Sequence, residues 1–158
     1  ESKMRYFLRS VIIFLFFSKV VLANMQDPTP KTNDKTDILM DKKSIHKMID
    51  VGEYEKARSN LKIFLENNSF DHEAYNLLGY VERQLQNYEL AINFYKKALS
   101  IDSNFTGAHH YIAITYLEMD NLSSAKYHLD KLDLICLFGC EDFYDLKNKI
   151  VFYEANNE

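Results

Sequence analysis

Two cysteines and five histidines carry most of the chemistry open to this 158-residue chain. Cys136 and Cys140 are separated by Leu137, Phe138 and Gly139. A pair this close can close a disulfide, stay as two buried thiols, or hold a soft metal. The C-x-x-x-C spacing differs from the C-x-x-C of thiol–disulfide oxidoreductases, which tells against redox catalysis. His128 lies two helical turns before Cys136, so a thiolate–imidazole site for Cu(I) is an alternative reading. His46, His72, His109, His110 and His128 never stand in the H-x-x-x-H or H-E-x-x-H spacing that aligns two ligands on one helix face. His109 and His110 are adjacent and therefore point to different helix faces, and most of the histidines read as surface or groove residues. There is no G-x-G-x-x-G, no phosphate loop and no Ser/His/Asp arrangement, so neither catalysis nor a bound cofactor is expected.

The elements that must position these residues repeat. Ala57, Ala91 and Ala125 are 34 residues apart, and so are Val51, Leu85 and Met119. Tyr54, Tyr88 and Leu122 share the spacing, as do Leu61, Tyr95 and Leu129. A fixed period of this length marks a solenoid whose units stack only on their neighbours. Each unit reads as two amphipathic helices joined by a tight turn. The helices are expected over 38–50 and 54–67, 71–85 and 88–101, then 105–119 and 122–137. Gly52-Glu53, Gln86-Asn87 and Asp120-Asn121 supply the turns, with Asn87 and Asn121 placed as helix N-caps. Gly139 reads as the last C-cap. Beyond it, Phe143, Leu146, Ile150 and Tyr153 recur at helical spacing and predict a capping helix over about 141–155.

The middle unit, Tyr75-x-x-Leu78-Gly79 followed by Ala91-x-x-x-Tyr95 and Ala98, resembles the tetratricopeptide repeat in both pattern and period. Gly79 and Ala91 lack bulk, which lets two helices approach closely while Tyr75, Leu78, Tyr95 and Leu99 fill the surrounding space. The third unit keeps Ala113, Tyr116 and Ala125 but has His109 at the aromatic position. The first is degenerate, with Asp41, Ser44 and Ile45 in place of the aromatic, leucine and glycine, and Ile45 is bulky where glycine is favoured. Ser103 and Glu82 also depart from the family pattern. The resemblance implies an all-α, right-handed solenoid of three helix pairs, about 38–71, 72–105 and 106–139, plus the capping helix.

The resemblance further implies a concave face lined by the first helix of each unit, where proteins of this family usually bind peptides. The corresponding positions are Leu39, Lys42, His46 and Ile49, then Asn76, Tyr80, Arg83 and Gln84, then His110, Ile114 and Leu117. Lys42 and Arg83 on that face suggest a partner protein or peptide segment carrying acidic groups, with Asn76 bonding its backbone. The family's carboxylate clamp of paired Lys and Asn is not reproduced.

Residues 1–23 read as a secretory signal peptide. Arg5 and Arg9 precede an apolar core from Val11 to Phe17, and Val21-Leu22-Ala23 suits cleavage after Ala23. Ser18 and Lys19 interrupt the apolar stretch before the roughly 20 residues needed to span a bilayer, which disfavours an anchor. Residues 24–37 hold both prolines and little to bury, and read as a flexible leader to a domain over 38–158. The net charge is −4, and removing residues 1–23, which carry +3, leaves −7. Such an acidic domain is a poor ligand for nucleic acid or anionic lipid. The expectation is a periplasmic or secreted scaffold, with metal or thiol handling at Cys136 and Cys140 as the alternative.

Overall fold

A computed structural model describes residues 41–157. The proposed signal peptide and leader, residue Leu39 and the start of the first helix at 38 lie outside the described residues. Among the described residues the chain forms α1 (Lys42–Asp50), α2 (Tyr54–Asn67), α3 (His72–Gln84), α4 (Tyr88–Ile101), α5 (Thr106–Glu118), α6 (Leu122–Ile135) and α7 (Glu141–Asn157). The three helix pairs stack as an all-α solenoid, with α7 seated on both α5 and α6.

The turn inside each pair is one device used three times. Gly52, Gln86 and Asp120 adopt φ of 77°, 63° and 56°. Their N–H groups donate to Ile49, Arg83 and Leu117 carbonyls at 3.0, 2.9 and 3.1 Å. The next N–H in each case, from Glu53, Asn87 and Asn121, reaches back to Met48, Glu82 and Tyr116 at 2.8, 2.9 and 2.8 Å. This pattern satisfies the carbonyls orphaned at the helix end. Only the first turn uses glycine, so Gln86 and Asp120 carry a left-handed backbone that L-residues disfavour by about 1–2 kcal/mol.

Caps begin the helices. Asp41, Asp71 and Asn121 accept from the Ser44, Ala74 and Ser124 N–H groups at 2.9, 2.9 and 3.0 Å. Asn87 holds the N-cap position of α4 as expected but makes no side-chain cap bond. Its Nδ2 donates to Oε2 of the fully buried Glu82 at 2.8 Å, which turns the amide toward that carboxylate. Arg58 Nη1 lies 3.7 Å from the same carboxylate, and Glu82 Oε1 has no hydrogen-bond partner. The expected C-cap at Gly139 also moves. Helix α6 ends at Ile135, and Gly139, at φ 82°, shapes the loop beyond it under the ring of Tyr144.

The core explains how degenerate units keep one backbone. A Cβ on Gly79 would lie 2.6 Å from two ring atoms of the fully buried Tyr95, so the glycine is a socket for that ring. One period earlier the same two positions hold Ile45 and Leu61, both fully buried in one cluster with Gly79's neighbours. One period later they hold Ala113 and Leu129. Bulk is exchanged between the two helices in the first and second pairs, which cores tolerate best, while the third pair carries less in total. Ile45 therefore fits because the facing residue is smaller than tyrosine. Ala57, Ala91 and Ala125 are fully buried at the recurring close crossing.

Helix α7 is in register with the repeat. Phe143, Leu146 and Ile150 fall two periods after Tyr75, Leu78 and Glu82. Leu146 and Ile150 are buried with Ala113, Ala125 and Leu132. It therefore packs as the first helix of a further unit, and its outer side is mixed, with Tyr144, Val151 and Phe152 exposed beside Lys147 and Lys149.

Candidate functional site

The inner positions of α1, α3 and α5 fall into a charged set and an apolar set. Ile49, Tyr80, Ile114 and Leu117 are half-buried and leave part of each side chain at the surface. His46 is exposed and Gln84 half-buried. Asn76, expected to reach a peptide backbone, is buried, and its Oδ1 has no hydrogen-bond partner. Tyr80 stands edge-on to Tyr111 at 5.5 Å between centroids, and Tyr111 stacks over the buried Tyr95 at 6.0 Å. The Arg83 guanidinium lies over Tyr80 at 5.1 Å and over Tyr111 at 5.9 Å. Aromatic planes and guanidinium thus form a preorganised patch in the middle of the face. Burial pushes the Tyr95 phenol well above its ordinary value, outweighing the nearby Arg83 charge, and burial also raises Tyr111.

Each basic group expected to be free for a ligand has an internal partner. Lys42 Nζ lies 2.7 Å from Asp71 Oδ2 and 2.6 Å from Glu73 Oε2. Arg83 Nη1 lies 2.6 Å from Glu118 Oε1. His110 Nε2 lies 2.6 Å from Asp145 Oδ2, and its Nδ1 is 3.9 Å from Asp142. Burial pushes the Asp71 carboxyl up, but Lys42 and the Ala74 N–H outweigh it and hold Asp71 below the ordinary range. Asp145 is lowered in the same way by His110 and Lys149. The carboxylates follow their partners by 31, 35 and 35 residues (42 to 73, 83 to 118, 110 to 145), close to one period. That spacing is the signal in the sequence that could have revealed Glu73, Glu118 and Asp145. These pairs stitch each first helix to the next.

Three of the five histidines, His109, His110 and His128, are buried rather than at the surface, while His46 is exposed and His72 half-buried. His109 and His110 are both buried and point to different neighbours, His109 toward α6 and His110 toward α7. The His109 Nε2–H donates to the Ser103 carbonyl at 3.2 Å, which leaves Nδ1 free to accept. The His128 Nδ1–H donates to it at 2.9 Å. Burial lowers His128 to about 4, helped by His109, Lys96 and Lys131, and burial with Lys131 also lowers His109. The pair is neutral near pH 7. His109 alone of the two borders a cleft of about 610 Å³ between the α4–α5 loop and the end of α6, walled by Leu99, Lys131, Leu134 and Leu137.

Cys136 and Cys140 are joined by a disulfide with a Cα–Cα distance of 5.6 Å. The bridge lies between the C-cap of α6 and the residue preceding α7, and its loop presents Leu137 and Phe138 to solvent. His128 is turned to His109 rather than to this pair. Among the described residues no three His, Cys, Asp or Glu side chains are grouped to hold a metal ion, and no helix is long and apolar enough to cross a membrane.

Comparison with known proteins starts from the middle unit, since residues 72–105 match the tetratricopeptide repeat family model. No curated protein sequence matches the chain. Solved structures match far more of it. PcrH in complex with the chaperone-binding region of PopD superposes with a TM-score of 0.65 at 14% identity, covering 74% of this chain and 90% of that one. The Yersinia enterocolitica type III secretion chaperone SycD, bound to a peptide of the translocator YopD, gives 0.63 at 19%, covering 72% and 86%. The first tetratricopeptide domain of Spaghetti (RPAP3), bound to the HSP90 peptide SRMEEVD, gives 0.64 at 16%, covering 77% and 96%. At these identities the likeness concerns the fold. Residues 72–105 thus match a tetratricopeptide repeat, and the described residues around them adopt the all-α solenoid fold of tetratricopeptide proteins.

Proposed function

We propose that this protein is a non-enzymatic scaffold or adaptor that holds a segment of another protein against the inner face of α1, α3 and α5. The observation that carries the reading is the preorganised patch of Tyr80, Tyr111 and Arg83, set among the partly open Ile49, Ile114 and Leu117. Aromatic and aliphatic groups held rigid before binding favour capture of an extended or helical segment. Three structures of like fold contain bound peptides or chaperone-binding regions, which supports the same use here. The signal-like residues 4–23 support a location in the periplasm or outside the cell, and the disulfide suits an oxidising compartment. There the bridge braces the corner between α6 and α7.

The test is equilibrium titration of a fluorescent peptide with an apolar centre into the wild type and into Tyr80→Ala with Leu117→Ser. Removing two anchors should weaken binding by more than tenfold, as hot-spot residues do. Equal affinity in both proteins contradicts the assignment. Mass measurement of the chain recovered from cell envelopes tests the location, since retention of residues 1–23 contradicts cleavage.

A further inference from the structure

We infer that the segment held on this face is basic around an apolar centre, rather than acidic; the inference rests on the scaffold reading above. It follows from who faces solvent in the Lys42–Glu73 and Arg83–Glu118 pairs and from the carboxylates at the two ends of the face. Arg83 lies under Glu118 and Lys42 under Glu73, while Asp71, 19% exposed, sits below Lys42. The Arg83 side chain is 12% exposed against 34% for Glu118, and Lys42 is 31% exposed against 57% for Glu73. At the far end the His110 imidazole, 10% exposed, lies beneath the Asp145 carboxylate, 43% exposed. An approaching ligand therefore meets carboxylate oxygens first.

The two ends of the face also hold more acid than base. At the α1–α3 end, Asp71 and Glu73 share the single ammonium of Lys42. At the α5–α7 end, Asp142 and Asp145 face His110, and Lys149 reaches only Asp145, at 3.3 Å. In the middle, Arg83 and Glu118 balance one to one beside the rings of Tyr80 and Tyr111. An acidic segment would have to displace Glu73 or Glu118 from a made contact. A Lys or Arg flanking an apolar core finds surplus carboxylate at either end without breaking one. Partly exposed charges of this kind steer and select partners, and their effect is screened by salt.

The experiment titrates the full chain with three fluorescent peptides that share one apolar centre and differ in flanking residues: Lys, Gln or Glu. At low salt the Lys-flanked peptide should bind about tenfold tighter than the Glu-flanked one, and the gap should close as ionic strength rises. Glu73→Gln with Asp142→Asn should narrow the gap, and Lys42→Gln should widen it. Equal affinities for all three, still lost in Tyr80→Ala with Leu117→Ser, overturn the charge preference and leave the scaffold reading standing. Tighter binding of the Glu-flanked peptide overturns the preference outright. Binding of none of the three overturns both readings.

Discussion

The second and third helix pairs share one backbone and fill it by opposite means. In the second, Tyr75 and Phe94 belong to an apolar cluster, and Gly79 accepts the ring of Tyr95. One period later the positions of Tyr75 and Phe94 are His109 and His128, which face each other at 2.9 Å in a buried hydrogen bond. The first solution is held by packing and is indifferent to acid. The second needs both rings uncharged, so it makes the stability of the third pair depend on pH. A repeat fixes where helices cross and leaves open what holds them there.

Truncating the packed solution should cost most. Tyr95→Ala removes a fully buried ring and leaves its socket empty, a loss of about 3–5 kcal/mol read by urea unfolding. A loss under 1 kcal/mol would show that Tyr95 is not the keystone of the second pair.

Acid should weaken the polar solution next. His128 is lowered to about 4 from an ordinary 6.5, and His109 is lowered as well. Between those values the unfolded chain binds protons more readily than the folded one, so stability falls as pH drops from about 6.5 toward 4. His128 alone accounts for roughly 3 kcal/mol across that window. Asp71 and Asp145, held below 3.8, add their loss only at lower pH. Importing the second pair's residues, His109→Tyr with His128→Phe, should flatten the slope between pH 7 and pH 5, and an unchanged slope would refute the account.

The socket itself gives a smaller effect. Gly79→Ala forces its methyl into Tyr95 and should cost about 1–3 kcal/mol. Adding Tyr95→Leu reproduces the third pair's alanine–leucine combination and should recover part of the loss. A strictly additive double variant would deny the exchange of bulk between the two helices. Reducing the Cys136–Cys140 bridge should remove about 2 kcal/mol, since it closes a short loop, and thermal unfolding with and without a dithiol measures it. Smallest is a gain. Gln86→Gly relieves the left-handed turn at φ 63° and should stabilise by about 1 kcal/mol.

The helices were legible because their signals are local. Apolar spacing and turn residues placed α2 and α4 at their observed bounds, and the period carried the pattern through the degenerate first unit. What stayed hidden depends on groups brought together by stacking. Glu82 reads in sequence only as a departure from pattern, yet once buried it takes the side-chain amide of Asn87, which keeps the N-cap position without a capping bond. Lys42 and Arg83 read as free cations because Glu73 and Glu118 are about a full period away in sequence. His109 and His128 are 19 residues apart, on different helices of one pair, and only the crossing of α5 and α6 joins them.

The central claim is that binding occurs on the inner face of the first helices. Amide and side-chain NMR shifts recorded while the Lys-flanked peptide is added test it most directly. The account predicts perturbations centred on Ile49, Tyr80, Arg83, Ile114 and Leu117, with the outer faces of α2, α4 and α6 quiet. Perturbations confined to the cleft around Leu99, Lys131 and Leu137 would contradict it, as would no change at a saturating concentration of peptide.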